Sequence, residues 1–113
     1  MGRFETSEQA SARWHQPVRV PRVKSDIFGA AREMAAVMPG WVLTKVNEDA
    51  LCIEATKKNG LLGGTSTIQV RVEGPDEIPN SATHCCSESS GALLSRDKAN
   101  VAEFIQKFWM RVT

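Results

Sequence analysis

The stretch TIQVRVE, Thr67 to Glu73, alternates Ile68, Val70 and Val72 with Gln69, Arg71 and Glu73. Successive side chains of a strand point to opposite faces, so one face of this segment is apolar and the other is wet. That pattern calls for a sheet covered on one side only, as antiparallel sheets commonly are. The neighbouring segments supply partners for it. WVLTKV (Trp41 to Val46) and ALCIEAT (Ala50 to Thr56) flank the turn-forming NED and predict a hairpin, and SATHCCSES (Ser81 to Ser89) predicts a fourth strand after the loop GPDEIPNS.

Two helices frame these strands. Ser25 or Asp26 offers an N-cap, Ile27, Ala31, Met34, Ala35 and Met38 recur at helical spacing, and Pro39 with Gly40 ends the segment. Near the other end Ser95 offers a cap, Arg96 and Asp97 fall in the first turn, and Val101, Phe104, Ile105, Phe108 and Val112 form one apolar stripe. Short links between consecutive strands make them antiparallel neighbours. The expected class is therefore α+β: a helix, a four-stranded antiparallel meander and a C-terminal helix, with both helices on one face.

Residues 1–16 of the segment 1–24 show neither helical nor strand periodicity. Pro17 and Pro21 bracket the alternating valines of QPVRVPRVKSD, which predicts an extended, partly disordered arm or an edge strand, because proline cannot donate to a sheet ladder. Residues 25–113 are then one domain, and a chain of 113 residues is long enough to bury a core. The arm carries Arg3, Arg13, Arg19, Arg22 and Lys24 against Glu5 and Glu8, although the whole chain has a formal charge of only +1. No basic cluster lies on a patterned helix, so nucleic acid is not an expected partner. Trp14 stands out as an aromatic in a segment of weak structure, the kind of residue that docks an arm onto its own domain or onto a partner.

Three cysteines, Cys52, Cys85 and Cys86, cannot all pair within the chain, and reduced thiols fit a cytoplasmic setting. The opening MGRFETSEQ lacks the apolar stretch of a signal peptide, and no run approaches the ~18 apolar residues of a transmembrane segment. Strand alternation puts His84 and Cys86 on one face and Thr83, Cys85 and Ser87 on the other. The adjacent cysteines thus diverge, and with no C-x-x-C or H-x-x-x-H spacing neither a metal site nor a cofactor is expected.

If the strands alternate in direction, the loops at 57–66 and 89–96 emerge at the same end of the sheet. Lys57, Lys58, Gly63, Gly64, Ser89, Gly91, Ser95 and Arg96 would then gather beside the N-terminus of the last helix, whose free amides and positive dipole end attract anions. Leu61, Leu62, Leu93 and Leu94 would cover an apolar ligand there, or else serve as anchors tucked under the sheet end and as a helix staple.

The order IEAT (Ile53 to Thr56), then TIQVRV with Val70 to Val72, then Ser87, Ser89 and Gly91, then Asp97 and Asn100 opening a helix, resembles the small bacterial and plastid family called domain of unknown function 1499. The chain departs from that pattern at Ser90, where the family has arginine, and at the shorter Asp97 to Asn100 spacing. The resemblance implies a small α+β domain and brings no chemistry with it. The residues themselves point to a non-enzymatic binding or interaction module, its partner an unknown protein or a small anionic or apolar ligand at the loop edge, with homodimerisation through an unpaired strand left open. The alternative is a small hydrolase or thiol-dependent enzyme using His84 and Cys86.

Overall fold

The computed structural model describes residues 2–60, 62–90 and 95–113. Gly91 and the leucines Leu61, Leu93 and Leu94, which the sequence assigned to the loop edge, lie outside the described residues.

The elements run β1 (Gly2–Glu5), a single 3-10 turn (Arg13–His15), β2 (Val18–Val20), α1 (Lys24–Val37), β3 (Trp41–Asn47), β4 (Cys52–Lys58), β5 (Thr65–Glu73), β6 (Ser81–Ser90) and α2 (Asp97–Val112). Strands β3 to β6 form the expected antiparallel meander. The sheet nevertheless has six strands and not four, because the arm supplies two. β1 pairs one half of β6, from Gly2 opposite Ser89 to Glu5 opposite Cys86, and β2 pairs the other half, from Val18 opposite Thr83 to Val20 opposite Ser81. Between them Thr6 bridges the gap, donating its amide to Cys85 O at 2.9 Å and accepting the Cys85 amide on its hydroxyl at 3.1 Å.

The expected element order is corrected with the strand count: α1 does not lead the chain but is inserted between β2 and β3. β1, four residues long, is too short for a period of two to register, whereas β2 lies where the alternating valines between Pro17 and Pro21 offered an edge strand. Pro17 and Pro21 stand just outside β2, where a missing amide donor costs the ladder nothing. At the far edge, β3 carries Lys45 and a break in register between Leu43 and Lys45, two features that blunt an unpaired strand against further pairing.

Ile68, Val70 and Val72 are buried while Gln69, Arg71 and Glu73 face solvent. Register places Ile53, Val70 and Cys85 in one row and Ala55, Ile68 and Ser87 in the next. The buried residues of α1 (Ile27, Phe28, Ala31, Met34 and Ala35) and of α2 (Val101, Phe104, Ile105, Phe108 and Val112) join this apolar face in one cluster. Trp41, Phe104 and Phe108 stack in series within the core, with ring centroids 5.5 and 5.3 Å apart.

The helix starts differ from those expected. Val23 holds the N-cap position of α1 with no side-chain cap, and Arg96 holds that of α2. α1 stops at Met38, Pro39 and Gly40, the glycine taking φ 79°, where a side chain would be strained.

Phe104 is the middle ring of the stack and is fully buried. Phe104→Ala is expected to destabilise the fold by about 3–5 kcal/mol, read as a lower urea midpoint at constant m-value; a loss under about 1 kcal/mol would show that the stack is not the centre of the core.

Candidate functional site

At one end of the sheet the β4–β5 loop, the end of β6 and the first turn of α2 converge. The i, i+2 spacing of Ser87 and Ser89 puts both hydroxyls on the covered face of β6, and register sets Ser66 of β5 opposite Ser89. The i, i+3 spacing of Asp97 and Asn100 puts both on the face of α2 that looks down on those serines. Both are buried, Asp97 with 1 % and Asn100 with 2 % of its surface exposed.

Among the described residues, the Asp97 carboxylate is held by hydroxyls alone. Its Oδ1 accepts from Ser66 at 2.8 Å and Ser87 at 2.7 Å, and its Oδ2 accepts from Ser89 at 2.6 Å and Ser95 at 2.8 Å. A carboxylate offers about four lone-pair sites, and here all are used. Burial pushes the Asp97 carboxyl up, but the four hydroxyl donors outweigh it and hold the group below its usual carboxylate value. Held that way it is a weak base, poorly suited to taking a proton from any of its serines.

Asn100 extends the network. Its Nδ2 lies 3.0 Å from Asn59 Oδ1 and 3.3 Å from the hydroxyls of Ser66 and Ser87, and its Oδ1 accepts from Lys57 Nζ at 3.0 Å. Asn59 Nδ2 donates to Ser66 Oγ at 2.7 Å and to Gly63 O at 3.1 Å, closing the loop on itself. The arm reaches the same point: a methyl group on Gly2 would stand 2.4 Å from Ser95 Oγ and 2.8 Å from Asp97 Oδ2, so only glycine allows this approach.

The loop edge therefore comes together, but Lys57, Ser66, Ser89 and Ser95 are turned inward. Lys57 serves Asn100 and lies 3.6 Å from Glu103, and Ser89 and Ser95 serve Asp97. Gly63 abuts Asn59 and the Arg96 side chain, and Gly64, at φ 63°, accepts the Asn59 amide. Lys58 alternates to the other face and is exposed, as is Arg96. Leu62, expected to tuck under the sheet end, is 47 % exposed. The negative charge beside the start of α2 is the chain's own Asp97. Ser66, Ser87, Asn59 and Asn100 were not among the expected site residues. Ser87, Ser89, Asp97 and Asn100, on which the family resemblance leans, all belong to this network.

On the open face of the sheet His84 and Cys86 share a side, as alternation requires, with Cys85 turned into the core. His84 Nε2 lies 2.9 Å from Glu73 Oε1, so its carboxylate partner is on the neighbouring strand. Burial pushes the Cys86 thiol up; Arg3 pulls it back, and Glu5, Glu88 and Asp97 push it further. Burial raises Cys85 well above the ordinary thiol range, with Cys86 adding to it. A raised thiol pKa keeps the nucleophilic thiolate scarce. Among the described residues no cluster of three metal-ligating side chains occurs.

A second concavity lies between the arm and α2. It encloses about 320 Å³ and is walled by Trp14, Pro17 and Val18 from the arm and by Ile105 and Trp109 from the helix. Trp14 thus docks the arm on its own domain, half-buried against the core. Arg13 lies over both indoles, its guanidinium carbon 5.0 Å from the Trp14 ring centre and 4.9 Å from that of Trp109. At the rim Arg19 pairs with Glu8.

No family model matches the chain, and no curated protein is similar to it in sequence. Among solved structures, the crystal structure of Ara h 8.0201 has the same general fold, with a TM-score of 0.53 over 97% of this chain and 98% of that one, at 10% identity. The likeness is one of fold alone.

With its folded-state pKa depressed, Asp97 contributes stability that is fully present above the unfolded carboxylate value of about 3.9 and is lost as pH falls through the lower folded value. Asp97→Ala leaves four hydroxyls without their acceptor and is expected to cost about 2–4 kcal/mol near neutral pH. The cost should shrink on acidification below about pH 4. Urea titrations of both proteins across that range check it; a deficit that does not change with pH would contradict the role of the charge.

Proposed function

We propose that the protein is a non-enzymatic binding module and that its ligand is a small, largely apolar molecule seated in the groove between the arm and α2. The observation that carries this reading is the state of the groove itself. Trp14, Pro17, Val18, Ile105 and Trp109 enclose an open space of about 320 Å³ although the arm is docked on the domain. Apolar clefts with a few polar groups at the mouth are the usual form of a small-molecule site, and this one sits near the lower end of the roughly 300–1,000 Å³ such sites occupy.

Two comparisons within the molecule favour the groove over the other candidates. At the loop edge, 57–66 and 89–96, Lys57 is committed to Asn100 and Ser66, Ser89 and Ser95 to Asp97, so in this reading it is a clamp that fastens α2 and the arm to the sheet. In the interior, Trp41, Phe104 and Phe108 are buried and stacked on one another. Catalysis by His84 and Cys86 draws no support from a thiol whose pKa is raised and a histidine bonded to Glu73.

An NMR titration with a panel of small apolar and amphipathic molecules tests the reading. Shifts are expected to concentrate at Trp14, Val18, Ile105 and Trp109, and Trp109→Ala is expected to weaken the best binder by about tenfold or more, as loss of a buried aromatic anchor usually does. Shifts centred on Lys57 to Ser66 and Ser95 to Asn100 would overturn the assignment in favour of the loop edge.

A further inference from the structure

The groove also constrains the chemistry of what it holds, and this step rests on the reading just given. We infer that the ligand of the groove carries a carboxylate on a flat apolar body and that Arg13 is the residue that recognises it. Of the two arginines at the site, Arg19 is already matched by Glu8. Arg13 makes no ion pair and no side-chain hydrogen bond among the described residues. What it has instead are two indole rings, at 5.0 and 4.9 Å, both within the roughly 6 Å range of a cation–π contact.

That environment is selective in what it leaves unused. Contact with aromatic faces fixes the guanidinium in place but consumes none of its N–H donors, which remain in a planar fork matched to the two oxygens of a carboxylate. A lysine ammonium held the same way would offer a point charge without that geometry. Held between rings from two separate elements, the 3-10 turn and α2, the arginine loses less side-chain freedom on binding an anion than a free surface arginine would. With Glu8 spent on Arg19, the arginine left over gives the groove an excess of positive charge, which an anionic group would balance. The apolar wall formed by Trp14, Pro17, Ile105 and Trp109 then takes the body of the ligand, and flat rings are favoured because two of the wall residues are indoles.

The test uses the full chain with two probes of nearly equal shape, 2-naphthoate and its neutral counterpart 2-naphthamide, followed by calorimetry and by the indole N–H resonances of Trp14 and Trp109. Both probes are expected to move those two resonances, and naphthoate is expected to bind about tenfold more tightly than naphthamide. Arg13→Gln should bring naphthoate down to the level of naphthamide while leaving naphthamide unchanged, and Arg13→Lys should fall between. Should Arg13→Gln weaken both probes alike, Arg13 shapes the wall and does not read the carboxylate, which overturns the assignment; full naphthoate affinity in Arg13→Lys overturns the demand for a fork. Equal affinity of the wild-type chain for the two probes overturns the carboxylate inference and leaves the groove as an apolar site. Failure of both probes to move either indole overturns the groove reading as well.

Discussion

A buried carboxylate that accepts four hydroxyl hydrogen bonds is the constraint around which this fold closes. Asp97 stands at the first position of α2 with 1 % of its surface exposed, and an unpaired charge in such a place would cost several kcal/mol. The four compensating donors come from three parts of the chain: Ser66 from β5, Ser87 and Ser89 from β6, and Ser95 from the approach to the helix. Satisfying one side chain therefore fixes the angle at which α2 leaves the sheet, and Gly2 brings β1 over the same point. Hydroxyl donors suit this task because they orient freely and add no charge, so the carboxylate stays ionised without a buried cation.

The clamp and the core divide the work along α2. Its first turn is tied to the sheet end by polar contacts through Asp97 and Asn100, and its middle is packed by Phe104, Ile105 and Phe108. The adjoining flank of Ile105 and Trp109 is where the arm lies across the helix. An arm fastened at both ends, by β1 near Asp97 and by β2 along Ser81 to Thr83, is held against α2 in its middle without filling the space beneath it. Pairing at its two ends restrains the segment around Arg13 and Trp14, and restraint before binding lowers the cost of ordering a site.

Much of this was legible in the sequence. The alternation of Ile68, Val70 and Val72 gave the sheet its two faces, and the stripe from Val101 to Val112 located the packed face of α2; both depend on periods long enough to read. The same alternation separated Cys85 from Cys86. What escaped was set by contacts distant in sequence. β1 is too short to carry a pattern, the valines of β2 offered a strand only as one of two readings, and both strands pair because β6, at ten residues, has an edge long enough for the two. The loop edge was located from strand direction alone, yet the direction of its chemistry was not readable, since nothing in the spacing of Ser66 and Asp97, thirty-one residues apart, says that they touch. The S-x-S and Asp-x-x-Asn spacings were a signal for that contact, visible as a resemblance before the geometry explained it. The groove had one clue, Trp14 standing in an otherwise unpatterned arm.

The claim on which the functional account rests is that ligand meets the arm and α2, not the loop edge. Photo-crosslinking with a diazirine-bearing aromatic carboxylate, followed by peptide mapping, measures this directly. Label confined to peptides containing Arg13 to Arg19 and Ile105 to Trp109, and suppressed by excess unlabelled carboxylate, is the result expected. Competable label on Lys57 to Ser66 or Ser95 to Asn100, with the arm peptides unmarked, would contradict it.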